Sequence, residues 1–212
     1  MEVATAHRIT PHLLRFWRCF WPQLALAPVL FFTLVTFLHE LAHAAAATMV
    51  GGQVTELSFL PRAGHLGQMR WEPPPGVTIY DHAFVSVAPY LMWSAVALLV
   101  IIIALRVGKT GKLHWLAAST LFVWGYAIPV GDIALNLYAG HGDLAVGGLD
   151  GLLIQAVGSL LLVGAYLIGH PVQRRLFGSR AVSFGGYLLS TAVLGAGFGV
   201  AAGVGLVLFG VL

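Results

Sequence analysis

The sequence predicts an all-α polytopic membrane protein with about five transmembrane helices and a short β-hairpin after the first helix. Of its 212 residues, 58% are hydrophobic and only 9% are charged, whereas a soluble domain carries about 25% charged residues. The mean hydropathy is +0.87. A surface with so little charge must face lipid over much of its area. We therefore expect a multi-pass protein of the cell membrane, surrounded by the lipid bilayer.

Five apolar segments approach or exceed the length of about 20 residues that a helix needs to cross the hydrocarbon core. We predict transmembrane helices at about residues 21–50, 83–105, 113–137, 152–169 and 187–212. Residues 1–20 combine arginine with leucine, phenylalanine and tryptophan, which indicates an N-terminal interfacial segment. Residues 21–212 then form one membrane-embedded domain.

The chain between the first two predicted helices does not suit a membrane helix. Gly51 and Gly52 end the first helix. Residues 54–60 and 66–71 predict two short strands, with residues 61–65 as the turn that joins them. We therefore expect a β-hairpin beside the end of the first helix.

The basic residues predict the orientation of these helices. Nine of the 11 Lys and Arg residues lie before the first helix, after the second and after the fourth. They are Arg8, Arg15, Arg18, Arg106, Lys109, Lys112, Arg174, Arg175 and Arg180. The positive-inside rule places these segments and the N-terminus in the cytoplasm. Because the basic residues form no long run, membrane topology explains them and we expect no nucleic-acid partner.

An HExxH motif, His39-Glu40-Leu41-Ala42-His43, lies inside the first predicted helix. Residues four apart share one face of a helix, so both imidazoles can bind one Zn²⁺. Glu40 projects beside them and can take a proton from a water molecule that the metal activates. The alternative is that these side chains pack against polar groups of neighbouring helices. Two histidines and a glutamate are costly in an apolar helix unless they face a cavity, a metal or each other.

A catalytic zinc needs a third protein ligand and an open position. The candidates are Asp81, His65, His82, His114, Asp132, His141, Asp143 and Asp150. At the helical rise, His39 lies about 27 Å into the first helix and Asp132 about 29 Å into the third, which runs in the same direction. Depth therefore selects Asp132. The alternatives His141, Asp143 and Asp150 lie in the connection before the fourth helix.

These motifs resemble the site-2 protease family of intramembrane zinc metalloproteases. Residues 38–44, followed by a glycine pair and a strand that ends at Leu60-Pro61, resemble the first catalytic segment of that family. Residues 85–89 resemble its small-residue-plus-proline element, and residues 128–132 resemble a degenerate form of its aspartate motif. The family places a glycine after the aspartate, whereas here Gly131 precedes it. A literal Leu149-Asp150-Gly151 opens the fourth helix instead.

The resemblance implies a zinc metalloendopeptidase that cuts membrane-protein or peptide substrates within or near the bilayer. It implies one Zn²⁺ held by His39, His43 and Asp132, with Glu40 as the catalytic residue. An unwound substrate could join the edge of the hairpin as an added strand, although a plain structural hairpin is an equal alternative. The family usually opens its site toward the cytoplasm, whereas the charge pattern here predicts the outer side.

Two other functions remain open. A proteolytically inactive membrane protein of the same fold would need the metal ligands but not Glu40. A transporter with a metal site should carry polar residues along several helices, but the second, fourth and fifth are almost wholly apolar. Gly195, Gly199 and Gly203 form a small-residue stripe in the last helix, which permits close packing within the monomer or in a homo-oligomer.

Overall fold

The computed structural model describes residues 18, 20–60, 67–110, 113–138, 143, 148–177 and 184–208. The helices are α1 (Phe20–Leu30), α2 (Thr36–Met49), α3 (Ile79–Thr110), α4 (Trp115–Phe122), α5 (Ile128–Tyr138), α6 (Gly148–Leu176) and α7 (Phe184–Leu208). Two π-helical turns, Phe31–Val35 and Val123–Ala127, precede α2 and α5. The strands are β1 (Gln53–Ser58) and β2 (Gln68–Glu72). This composition confirms the all-α polytopic class with a short hairpin.

Three helical stretches in the described chain are long and apolar enough to cross a membrane: Ile79–Val107, Trp115–Ala134 and Gly151–Leu176. A fourth is added if Phe20–Leu30 and Thr33–Met49 count as one span, although they meet at an angle of 59°. The first predicted helix is therefore bent, at the π turn Phe31–Val35. Helix α7 covers most of the fifth predicted segment. The predicted interfacial segment 1–20 lies outside the described residues, apart from residues 18 and 20.

The hairpin is antiparallel, with Gln53 opposite Glu72 and Ser58 opposite Gln68, and it has an irregularity between Val54 and Glu56. It starts where Gly51, at φ +82°, ends α2 in a conformation that favours glycine. The strands agree with those predicted to within two residues at each end. The predicted turn at 61–65 lies outside the described residues.

The main apolar core lies where five helices meet. Phe20, Trp93, Phe122, Leu176 and Tyr187 are all buried there and come from α1, α3, α4, α6 and α7. A polar bridge joins α1 to α4 and to the π turn that follows it. Gln23 Nε2 donates to Thr120 Oγ1 at 2.8 Å, and Trp124 Nε1 donates to Gln23 Oε1 at 2.5 Å. Such bonds between apolar helices fix their register, and here they hold the helices that lead into α2 and α5.

Candidate metal centre

The HExxH motif lies inside α2, which is part of the first predicted helix. The rings of His39 and His43 share one face, with centroids 5.0 Å apart and planes at 71°. His43 and Glu40 are buried, and the side chain of His39 is 13% exposed. One turn of helix therefore brings two imidazoles together in an interior that excludes most water.

Asp143 supplies the carboxylate that meets both rings. Its Oδ2 lies 3.2 Å from His39 Nε2 and 3.0 Å from His43 Nε2. One ligand atom from each of these three residues lies within 4.8 Å of the other two. Two imidazole nitrogens and one carboxylate oxygen are a ligand set that catalytic zinc sites use. The donor chemistry of this cluster therefore fits zinc.

The carboxyl of Asp143 is suited to a ligand role. Burial raises its pKa, but its contacts with the His39 and His43 rings outweigh burial, and the pKa lies well below its usual range. The carboxylate is therefore ionised at neutral pH, as a metal ligand must be.

Asp132, the predicted third ligand, lies on the other side of the His39 ring. Its Oδ2 is 3.3 Å from His39 Nδ1, whereas Asp143 faces Nε2. Asn136, one turn further along α5, donates to the Asp132 carbonyl at 3.0 Å. The structure thus brings Asp132 beside the motif, as the depth comparison predicted, and it brings Asp143 there as well.

The remaining candidates have other positions. Asp81 accepts from Thr78 at the start of α3, and His114 accepts from Leu116 N at the start of α4. His82 packs against Trp71 in a tilted arrangement, with ring centroids 5.1 Å apart. His65 and His141 lie outside the described residues, and so does the side chain of Asp150.

The second nitrogen of each imidazole also has a partner. His43 Nδ1 is 2.7 Å from the carbonyl oxygen of Val85. A carbonyl only accepts, so His43 Nδ1 carries a proton, which leaves Nε2 as the ring nitrogen that can bind a metal. Asp132 can act in the same way on His39 Nδ1. A metal-binding histidine usually donates its other N–H to a carboxylate or a carbonyl, which fixes the tautomer and the ring orientation.

Tyr90 is a site residue that the sequence analysis missed. It lies in α3, is buried, and donates from its hydroxyl to Asp143 Oδ2 at 3.1 Å. Its ring stands edge-on to His39, with centroids 5.6 Å apart. An aromatic residue in an apolar helix usually packs against its neighbours, so the hydropathy of α3 did not indicate this contact. Its position directly after Pro89, in the small-residue-plus-proline element, was the one available signal.

Glu40 faces the start of β2. The backbone N–H of Met69 hydrogen-bonds its carboxylate. A Cβ on Gly67 would lie 2.8 Å from Glu40 Oε1 and 2.5 Å from Thr36 Cγ2, so only glycine fits here without a shift. Among the described residues, Glu40 is not one of the three whose ligand atoms converge. Glu40 therefore lies between the histidine pair and the hairpin.

Comparison with known families identifies a matching profile. The profile of the family described as Peptidase M50B-like matches residues 13–138, which is more than half of the chain. The matched range includes His39, Glu40, His43 and Asp132, and it ends before Asp143. Searches of curated proteins and of solved structures find no match.

Proposed function

Because the chain belongs to the M50B-like peptidases of the site-2 protease family, we propose that it is an intramembrane zinc metalloprotease. It would hydrolyse peptide bonds of membrane-protein substrates within or near the bilayer. The observation that carries this proposal is the convergence of His39 Nε2, His43 Nε2 and a carboxylate oxygen in a buried site, with Glu40 next to them in the same helix turn.

In this proposal His39 and His43 bind one Zn²⁺ through Nε2, and Asp143 is the third ligand. Asp132 then holds His39 through Nδ1 and Tyr90 holds Asp143. When bound, zinc supplies Lewis acidity, which polarises a peptide carbonyl and makes a water molecule more acidic. The prediction that Asp132 is itself the third ligand is the alternative, and it has support because the family match includes Asp132 and ends before Asp143.

Glu40 is the residue that moves protons. Its carboxylate is buried and lies beside the histidines without joining the ligand group. It can accept the proton of the attacking water and later deliver it to the leaving amine. The backbone N–H of Met69 orients the carboxylate for both steps.

The position of the hairpin suggests how a substrate is presented. In the described chain β1 and β2 form a two-stranded sheet, so each strand has an outer edge without a strand partner. The start of β2 contacts Glu40 through Gly67 and Met69. A substrate that unwinds from a helix and pairs with an edge by strand addition would bring its backbone toward the base.

The deciding experiment is a peptidase assay with metal analysis on the purified protein in detergent. Glu40→Gln should bind as much zinc as the wild type but lose hydrolysis, because Glu40 is a base and not a ligand. Glu56→Gln is the matched control: Glu56 is exposed on β1 and pairs with Arg70 at 3.4 Å, so this variant should cleave normally. Wild-type activity in Glu40→Gln would refute the proposal.

The same measurements separate the two other functions. An inactive relative would bind zinc through His39 and His43 and cleave no peptide even as the wild type. A transporter would move zinc across the membrane of a proteoliposome and would lose that flux in His43→Ala.

A further inference from the structure

Pro89 interrupts the hydrogen-bond ladder of α3 beside the metal centre. In an α-helix the N–H of residue 89 would donate to the carbonyl of residue 85. Proline has no N–H, and Pro89 lies well inside α3. The Val85 carbonyl therefore lacks its normal helical donor. It accepts from His43 Nδ1 instead, at 2.7 Å.

The groups that exchange hydrogen-bond partners are buried, so an unpaired group here would cost free energy. Val85 is 4% exposed, His43 is 5% exposed, and Pro89 is fully buried. A buried carbonyl without a donor is costly, and so is a buried imidazole N–H without an acceptor. The Val85 carbonyl, which lacks its helical donor, and the His43 N–H from α2 therefore satisfy each other.

The bond also decides which nitrogen of His43 can bind a metal. With a proton held on Nδ1, the ring directs Nε2 toward His39 and Asp143 as the nitrogen available to a metal. We propose that Pro89 is a positioning residue of the metal centre, which acts by leaving the Val85 carbonyl free to fix His43 in its metal-binding tautomer. The inference rests on the proposed function, since His43 needs this tautomer only if it binds zinc.

The test replaces Pro89 with a residue that restores the donor. In Pro89→Ala the new N–H competes with His43 for the Val85 carbonyl, and alanine favours the helix. Zinc affinity, measured by competition with a chromogenic chelator, should fall about tenfold to a hundredfold, as for other losses of an outer partner of a metal ligand. Pro171→Ala is the matched control, because Pro171 also lies inside a helix, α6. Its new N–H would face the Leu167 carbonyl, and zinc affinity should not change.

A second readout follows the hydrogen bond itself. In protein loaded with Co²⁺, the imidazole N–H protons of metal-bound histidines give strongly shifted NMR signals. The His43 N–H, buried and bonded to Val85, should exchange slowly with solvent in the wild type and faster in Pro89→Ala. The wild-type measurement stands even if Pro89→Ala does not fold, and Asp132→Asn, which changes the partner of the His39 N–H, distinguishes that signal from the His43 signal.

Two failures can be told apart. If the wild type binds zinc through His43 but Pro89→Ala keeps wild-type affinity, or the wild-type His43 N–H exchanges fast, the inference is wrong and the metal centre stands. If zinc binding does not change in His43→Ala, the proposed metal centre fails and the inference fails with it.

Discussion

Gly67 lies close to Glu40, the proposed base. The effect of a substitution at Gly67 on catalysis can therefore be predicted in size as well as in direction. In Gly67→Ala the new methyl group would lie 2.8 Å from Glu40 Oε1, 3.0 Å from Glu40 Cγ and 2.5 Å from Thr36 Cγ2. Ordinary contacts begin at 3.4 Å, so the carboxylate must move by about 0.6 Å and the threonine methyl by about 0.9 Å, the differences from that limit. All three atoms belong to side chains and none to the backbone, so the fold should survive the shift.

We expect catalysis to be more sensitive to this shift than the fold is. A misplacement of about 1 Å can cost about a hundredfold in rate, so we expect kcat for peptide cleavage to fall about tenfold to a hundredfold. Zinc content should stay at the wild-type level, because the three atoms nearest to the new methyl group belong to Thr36 and Glu40 and not to the ligand cluster. Gly164→Ala, in α6, is the control, since a Cβ there meets nothing within 4 Å.

The assay is steady-state cleavage of a labelled peptide by purified protein, with zinc content and thermal unfolding measured on the same samples. A folded, zinc-loaded Gly67→Ala with wild-type kcat would refute the reasoning. Either Glu40 would not be the base, or the hairpin would not lie against it during the reaction.

Three further predictions concern the metal ligands, the residue that supports Asp143, and the orientation of the protein in the membrane. Asp143→Asn should lower zinc affinity by more than about a hundredfold and Asp132→Asn by about tenfold to a hundredfold; the reverse order in a chelator titration would make Asp132 the ligand. Tyr90→Phe removes a hydrogen bond to a charged group and should weaken zinc binding about tenfold to a hundredfold, and unchanged affinity would reduce Tyr90 to packing. Gly142 lies between the third and fourth predicted helices, in a connection that the charge pattern places outside. In a protein that lacks Cys19, Gly142→Cys should therefore react with an impermeant maleimide in intact spheroplasts. Labelling only after permeabilisation would reverse the predicted orientation.

Much of the fold follows from length and periodicity. Apolar segments of bilayer length predicted α3, α6 and the continuous run from α4 to α5, because lipid demands helices of that size. The spacing of four between His39 and His43 predicted that their rings would share a face. The glycine pair and the alternating segments after it predicted the hairpin, which starts at Gln53.

Other parts of the site depend on geometry that local patterns do not encode. Asp143 reaches the histidines through a connection whose path no periodicity specifies, so the sequence offered it only as one of several loop residues. Tyr90 has the composition of a packing residue, and its role depends on which groups face its hydroxyl. The bend before α2 was missed because hydropathy measures apolar length and not direction.

The two π-helical turns affect how relatives of this chain should be compared. A π turn contains one residue more than the α-helical turn it replaces, and each residue of an α-helix advances the face by about 100°. Removal of one residue from Phe31–Val35 would turn the π turn into an α-helical turn of about the same rotation, so the motif would keep its direction relative to α1. The same holds for Val123–Ala127 and Asp132. A homologue can therefore lack one residue in either π turn and keep the site, so an alignment gap there does not argue against a shared metal centre.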